Sequence, residues 1–167
     1  MWYVLQVNTG QERSVQGELQ RQGILALVPR EARQIRRGGS WTSKEYTLFP
    51  GYVFLNLEYT AENYYRVKGI PSVIRFLGPS GLAPSRLTYL EAEWIKVLSA
   101  GGAPLEPTRV REQADGSWKI VSGVLANFAS RNIRYDKRSR RASVELTVCG
   151  ESKTIRLSVV EEESGSS

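Results

Sequence analysis

The residues best suited to chemistry in this chain are cations, and the chemistry they suit is phosphate binding. Residues 101–167 carry eleven Lys and Arg against nine Asp and Glu. Six of those eleven are Arg131, Arg134, Lys137, Arg138, Arg140 and Arg141, opposed within their run by Asp136 alone, while the rest of the segment is net acidic, five against eight. A basic knot on an otherwise acidic region is what a phosphate-contacting surface requires, because Arg pairs with phosphate in a fork and stacks on unpaired bases. A solvated charged face has the same composition. Tyr135 inside the run is either a stacking ring or a core residue. A second anion site is suggested where Asn8, Thr9 and Arg13 open a helical pattern, since free backbone N–H groups and a basic side chain favour phosphate there. An ordinary Thr9 N-cap accounts for the same residues. Arg36, Arg37 and Lys44 flank a hairpin tip and are expected as solvated charges.

Catalytic chemistry is poorly provided for. The chain has no histidine and one cysteine, Cys149, which removes imidazole acid–base work, an ordinary zinc site and any internal disulfide. No phosphate-binding glycine loop or nucleophile elbow occurs. Glu91 and Glu93 are the close acidic pair on a predicted helix, and residues two apart there face different ways. A binding protein follows, with no enzyme activity, cofactor or metal expected and Cys149 inert. No apolar run reaches the ~20 residues of a bilayer span, and Met1 to Gln6 lacks the basic and long apolar regions of a signal peptide. The expectation is a cytoplasmic monomer with no membrane partner. The net charge is +6, and its placement matters more than its total.

The elements that must position these residues follow from periodicity. Trp2 to Val7 is apolar on both faces, as a central strand is. Thr9 with Glu12 makes a capping box for a helix buried through Val15 and Leu19 and stopped at Gly23. Ile24 to Val28 is a second strand running into an arm that turns at Arg37-Gly38-Gly39-Ser40 and returns as Trp41 to Leu48. Tyr52 to Leu57 is another apolar strand. Thr60 caps a helix over 61–68 closing at Gly69, and Ser72 to Leu77 is a fourth sheet strand. Thr88 and Glu91 box a third helix with Leu90, Trp94, Val97 and Leu98 at helical spacing. The fold class is therefore α+β, with a ferredoxin-like β-α-β-β-α-β order plus one helix over residues 1–100. Residues 101–107 have linker composition, and five short β-like runs over 108–163 suit a small β-barrel. Residues 164–167 read as a solvated tail.

Trp2-Tyr3-Val4, Thr9-Gly10-Gln11-Glu12, Phe49-Pro50-Gly51-Tyr52-Val53-Phe54 and Gly69-Ile70-Pro71-Ser72-Val73-Ile74-Arg75-Phe76-Leu77-Gly78 stand in the order of the NusG N-terminal domain, which this chain resembles. The resemblance extends over the whole chain, the second part being similar to the family's KOW-type barrel. It implies a transcription elongation and antitermination factor. Its N-terminal domain would bind the clamp helices of the largest RNA polymerase subunit through Tyr3, Phe49, Pro50, Gly51, Tyr52, Ile70 and Pro71. Asn8, Thr9 and Arg13 would lie near the non-template DNA strand, and Thr60 to Asn63 near the opposite pincer.

Two departures bear on the barrel. Ser130 stands where the KOW motif usually has glycine, and Cys149 stands where an aromatic often precedes the last hairpin glycine, Gly150. The missing aromatic weakens the case for a protein partner, and the Arg131–Arg141 run points to a specialised LoaP-type antiterminator whose barrel takes an RNA hairpin. The alternatives are a general NusG-type factor whose barrel binds a protein, and a ribosome-associated KOW protein.

Overall fold

Strand β1 (Trp2–Val7) is buried on both faces, and it is an inner strand as its composition demands. The computed structural model describes residues 1–128 and 133–162; Ser130, Arg131 and the expected tail at 164–167 lie outside the described residues. β1 is followed by α1 (Glu12–Arg21), β2 (Leu25–Leu27), the hairpin β3 (Arg30–Arg37) and β4 (Ser40–Thr47), β5 (Tyr52–Asn56), α2 (Ala61–Lys68), β6 (Val73–Phe76) and α3 (Tyr89–Ser99). β1, β2, β5 and β6 form one antiparallel sheet in the order β2-β5-β1-β6, the split-βαβ arrangement with the β3–β4 ribbon inserted as its own two-stranded sheet.

Local chemistry explains most of the boundaries. Thr60 Oγ1 accepts from the Asn63 N–H at the start of α2, and a full reciprocal box joins Thr88 and Glu91 at the start of α3. The Thr9–Glu12 box expected for α1 does not form. Glu12 instead turns inward, is 3% exposed, and accepts from the N–H groups of Gly10 and Gly51, so α1 begins without a side-chain cap. The buried stripe of α3 is also rotated from the expected one. Ala92, Ile95 and Leu98 face inward and Leu90 is exposed, because the surface α3 packs on includes a second sheet.

That second sheet is built from β7 (Thr108–Glu112), β8 (Trp118–Ser122), β9 (Arg134–Asp136), β10 (Arg141–Val148) and β11 (Glu151–Glu162), ordered β8-β7-β11-β10-β9. Five strands were expected here. Among the described residues the two edge strands are joined by side chains and not by a ladder: Trp118 on β8 and Tyr135 on β9 meet edge to face at 5.2 Å. Alternation along β10 places Ala142, Val144, Leu146 and Val148 inside, and Ile155, Leu157 and Val159 do the same on β11.

The central sheet thus has two covered faces. Tyr3, Leu5, Val7, Val53 and Leu55 pack under α1 and α2 with Val15, Leu19 and Val67. Val4, Phe49 and Phe54 belong to a core shared with α3 and the C-terminal sheet, including Phe128, Leu146, Ile155 and Leu157. The segment 101–107, expected as a free linker, is docked as well. Leu105 is buried, its N–H donates to Arg30 O at 2.8 Å, and its carbonyl accepts from Ala32 N–H at 2.9 Å.

Candidate functional site

Three loops meet at one end of the central sheet. Val7 N–H donates to Gly51 O at 2.8 Å, Asn8 N–H donates to Ser72 O at 2.9 Å, and the Glu12 carboxylate accepts from Gly10 N–H at 2.6 Å and Gly51 N–H at 3.0 Å. Gly51 has φ +83°, and a Cβ there would stand 3.5 Å from Val7 O and 3.6 Å from Thr9 Oγ1. Glycine is what this turn admits. The helix-start residues Asn8, Thr9 and Arg13 are exposed beside the exposed Pro50 and Pro71, so residues that the sequence separates by about forty to sixty positions become neighbours.

The apolar members of the expected patch are not at the surface. Phe49 is 4% exposed and sits edge to face with Phe54 at 5.3 Å; Tyr52 is half-buried, packed against Phe54, with Lys153 Nζ of the C-terminal sheet 5.2 Å over its ring. Tyr3 and Ile70 are buried on the opposite face of the sheet, Tyr3 against Tyr59 and Phe76. Phe49 and Tyr52 therefore share one face, and Tyr3 and Ile70 belong to the helix-covered core.

What covers Phe49 and Tyr52 is held by aromatic stacking and two buried carboxylates. Trp94 of α3 stacks on Phe128 at 4.6 Å with the rings 24° apart. Glu31 on β3, 2% exposed, accepts from Arg141 Nη1 at 2.8 Å and from the Ser158 N–H at 2.9 Å, and also pairs with Arg33. Glu91, whose first oxygen closes the α3 capping box, uses its second to accept from the Gly150 N–H at 3.1 Å. Burial pushes the Glu91 carboxyl up, but hydrogen bonds from Thr88, Gly150, Thr147 and Cys149 outweigh it and hold the group below its ordinary range. Cys149 beside it lies 3.9 Å from Ser85 O, and burial, with Glu91 and Glu151 nearby, pushes its thiol up to about 11. A protonated thiol is a poor nucleophile, in keeping with an inert residue.

The basic run divides. Lys137, Arg138 and Arg140 are exposed on the turn between β9 and β10, which Asp136 organises by accepting from the Arg138 and Ser139 N–H groups at 3.0 and 3.4 Å. Arg140 adopts φ +55°, and Arg134 is exposed on β9. Arg141 points the other way, with 15% of its side chain exposed and its guanidinium spent on Glu31, Ser158 Oγ and Arg156 O. Tyr135 is a core-edge residue: its hydroxyl donates to Glu161, and burial together with that carboxylate pushes it up to about 12. No cluster of potential metal ligands occurs among the described residues, and no described helix is long and apolar enough to cross a membrane.

The family model described as transcription termination factor nusG matches residues 1–96. The chain belongs to the NusG family. That family consists of non-enzymatic transcription factors. The transcription termination/antitermination protein NusG of Buchnera aphidicola is 27% identical, with 93% of this chain and 91% of that protein covered. Its counterpart in Bacillus subtilis is 25% identical over 87% of this chain and 88% of that protein. In three dimensions the chain is similar to a Thermotoga maritima NusG structure described by its domain interaction, with TM-score 0.55 and 22% identity over 95% of this chain and 93% of that one. This likeness establishes a shared fold.

Sequence reasoning missed the three inward carboxylates, Glu12, Glu31 and Glu91. Glu91 had a visible role as a capping partner, but its second oxygen acts across the fold. Glu31 stands in the run Val28-Pro29-Arg30-Glu31-Ala32, whose apolar members are the local sign that this part of the arm is buried.

Proposed function

We propose that this NusG-family chain is an elongation and antitermination factor that engages the RNA polymerase clamp helices with the sheet face carrying Phe49 and Tyr52, after its C-terminal sheet has moved aside. The observation that carries this reading is the burial of Phe49 and half-burial of Tyr52 beneath the C-terminal sheet, in the family-matched part of the chain. An aromatic pair on a sheet face is the type of anchor that contributes most to protein interfaces. Here it is occupied by the chain itself. In this reading residues 1–100 form the polymerase-binding domain and 108–163 a KOW-type module, with 101–107 becoming a free linker on opening.

The exposed cations Arg134, Lys137, Arg138 and Arg140 then form the RNA-facing surface of that module, and Arg141 joins them only when Glu31 releases it. Asn8, Thr9, Arg13, Pro50 and Pro71 border the polymerase-facing end, within reach of the non-template strand. The test is a pull-down of polymerase with the intact protein, with Glu31→Ala and with Tyr52→Ala combined with Glu31→Ala. Glu31→Ala should increase the polymerase recovered, and adding Tyr52→Ala should reverse the gain. Equal recovery by the intact protein and by Glu31→Ala would refute opening as a requirement. Sequencing of RNA bound to the intact protein checks the second surface, and a protein partner displacing that RNA would reassign it.

A further inference from the structure

We infer that the β3–β4 ribbon is a binding surface for double-helical DNA, separate from the turn between β9 and β10 and from the face that holds Phe49. The ribbon pairs eight residues against eight, from Arg30↔Thr47 to Arg37↔Ser40, and every residue from Arg36 to Glu45 is exposed. An isolated two-stranded ribbon is marginal by itself, and among the described residues this one is held at its root by Leu105, by Glu31, by Arg30 donating to the Gly102 carbonyl and by the pairing of Arg30 and Arg13 with Glu45. Both carboxylates of the ribbon are thereby engaged. The distal half, 34–44, holds Arg36, Arg37 and Lys44 and no acid.

Charge on a free ribbon is ordinarily explained as protection of its edges against aggregation. Trp41 does not fit that explanation. Its indole is 65% exposed beside the tip with the Arg36 guanidinium 5.8 Å from its ring, an apolar group placed where edge protection would exclude one. The register also separates the cations. Arg36 and Trp41 are cross-strand partners on one face, while Arg37 and Lys44 belong to the other, since side chains alternate along each strand. A ribbon lying flat on a surface would need cations on one face only. Cations on both faces suit a tip entering a groove whose two walls are phosphate, and Gly38-Gly39 keeps that tip slim. The DNA major groove admits a two-stranded ribbon, whereas the deep, narrow major groove of an RNA helix does not. Arg36, Arg37 and Lys44 would grip phosphates, and Trp41 would pack on sugars and base edges.

The test uses the full chain and a short labelled DNA duplex without polymerase, so its outcome is independent of the polymerase reading. Binding is followed by anisotropy between about 50 and 200 mM salt. Combined Arg36→Ala, Arg37→Ala and Lys44→Ala should weaken binding and lower the log–log salt slope by about 0.9 for each phosphate that is no longer neutralised. Trp41→Ala should weaken binding several-fold and leave the slope unchanged. Lys119→Ala, an exposed cation outside both surfaces, should leave duplex binding as in the parent. All of these positions are exposed, and unchanged thermal midpoints would verify that the variants fold. Absence of duplex binding by the parent, parental binding by the triple ribbon variant, or tighter binding of a single strand or an RNA helix than of the duplex would each overturn the inference.

Discussion

The two faces of the central sheet are covered by different means. Under α1 and α2 the contacts are apolar and aromatic, with Leu5, Val15, Leu19, Val53 and Leu55 fully buried and Tyr64 stacked on Phe76 at 6.0 Å. Under the C-terminal sheet an apolar core of similar character is joined by Glu31, Glu91 and Arg141, charged groups that lose water when the face closes. Desolvation offsets much of what such pairs contribute, yet removing one partner leaves the other buried and unsatisfied. The helix-covered face therefore behaves as permanent core. The sheet-covered face, in the proposed opening, must break both that shared apolar core and a few charged contacts.

Glu31→Ala should give the largest effect on closure. It removes the carboxylate that Arg141, Arg33 and the Ser158 N–H share, leaving Arg141 only the neutral acceptors Ser158 Oγ and Arg156 O, and should cost the closed arrangement up to about 3 kcal/mol. Amide hydrogen exchange should show Leu105 and β11 losing protection while β1 and β5 keep theirs. If β1 and β5 lose protection equally, the two faces are one cooperative unit and the contrast fails.

Leu19→Ala on the helix-covered face should cost about 2–5 kcal/mol by cavity formation. Here the expected readout is a lower thermal midpoint of the central sheet, with no selective exposure of the C-terminal sheet. Selective loss of β11 protection in this variant would reverse the assignment of the two faces.

Glu91→Gln should be milder, at about 1.5–3 kcal/mol, the magnitude of hydrogen bonds to a charged acceptor. The pH dependence has a definite sign. The folded Glu91 is held below its ordinary value, so its stabilisation is complete above that ordinary value and is lost as pH falls through the lowered folded value. An acid titration of closure should therefore lose this component in Glu91→Gln, and a parental acid profile in the variant would show that ionisation of Glu91 contributes nothing to closure.

Cys149 supplies the smallest and most local readout. With its thiol pushed up to about 11 and half-buried near Ser85, it should react slowly with a thiol reagent near neutral pH in the closed form. Glu31→Ala should speed that labelling, because opening exposes and rehydrates the thiol. An unchanged rate would mean that the edge at Cys149 stays docked without Glu31.

Local elements were legible because they rest on neighbours in the chain. The Thr60 and Thr88 caps, the turn at Arg37-Gly38-Gly39-Ser40 and the alternation in β10 and β11 need only residues a few positions apart. The two-sided apolar character of Trp2–Val7 likewise determined that β1 lies inside a sheet. Membership of the NusG family was also carried by linear motifs.

What covers each face was decided only in three dimensions. An apolar side chain such as Phe49 records that it must leave water, but not whether a helix, another sheet or a partner takes the water's place. The same holds for charge. Arg138 and Arg141 are three residues apart and chemically identical, yet one stays in solvent while the other is drawn inward by a carboxylate 110 positions away. Composition determined that cations gather between Arg131 and Arg141; the placement of Glu31 on β3, against Arg141, decided which of them is spent on an ion pair between the two parts of the chain.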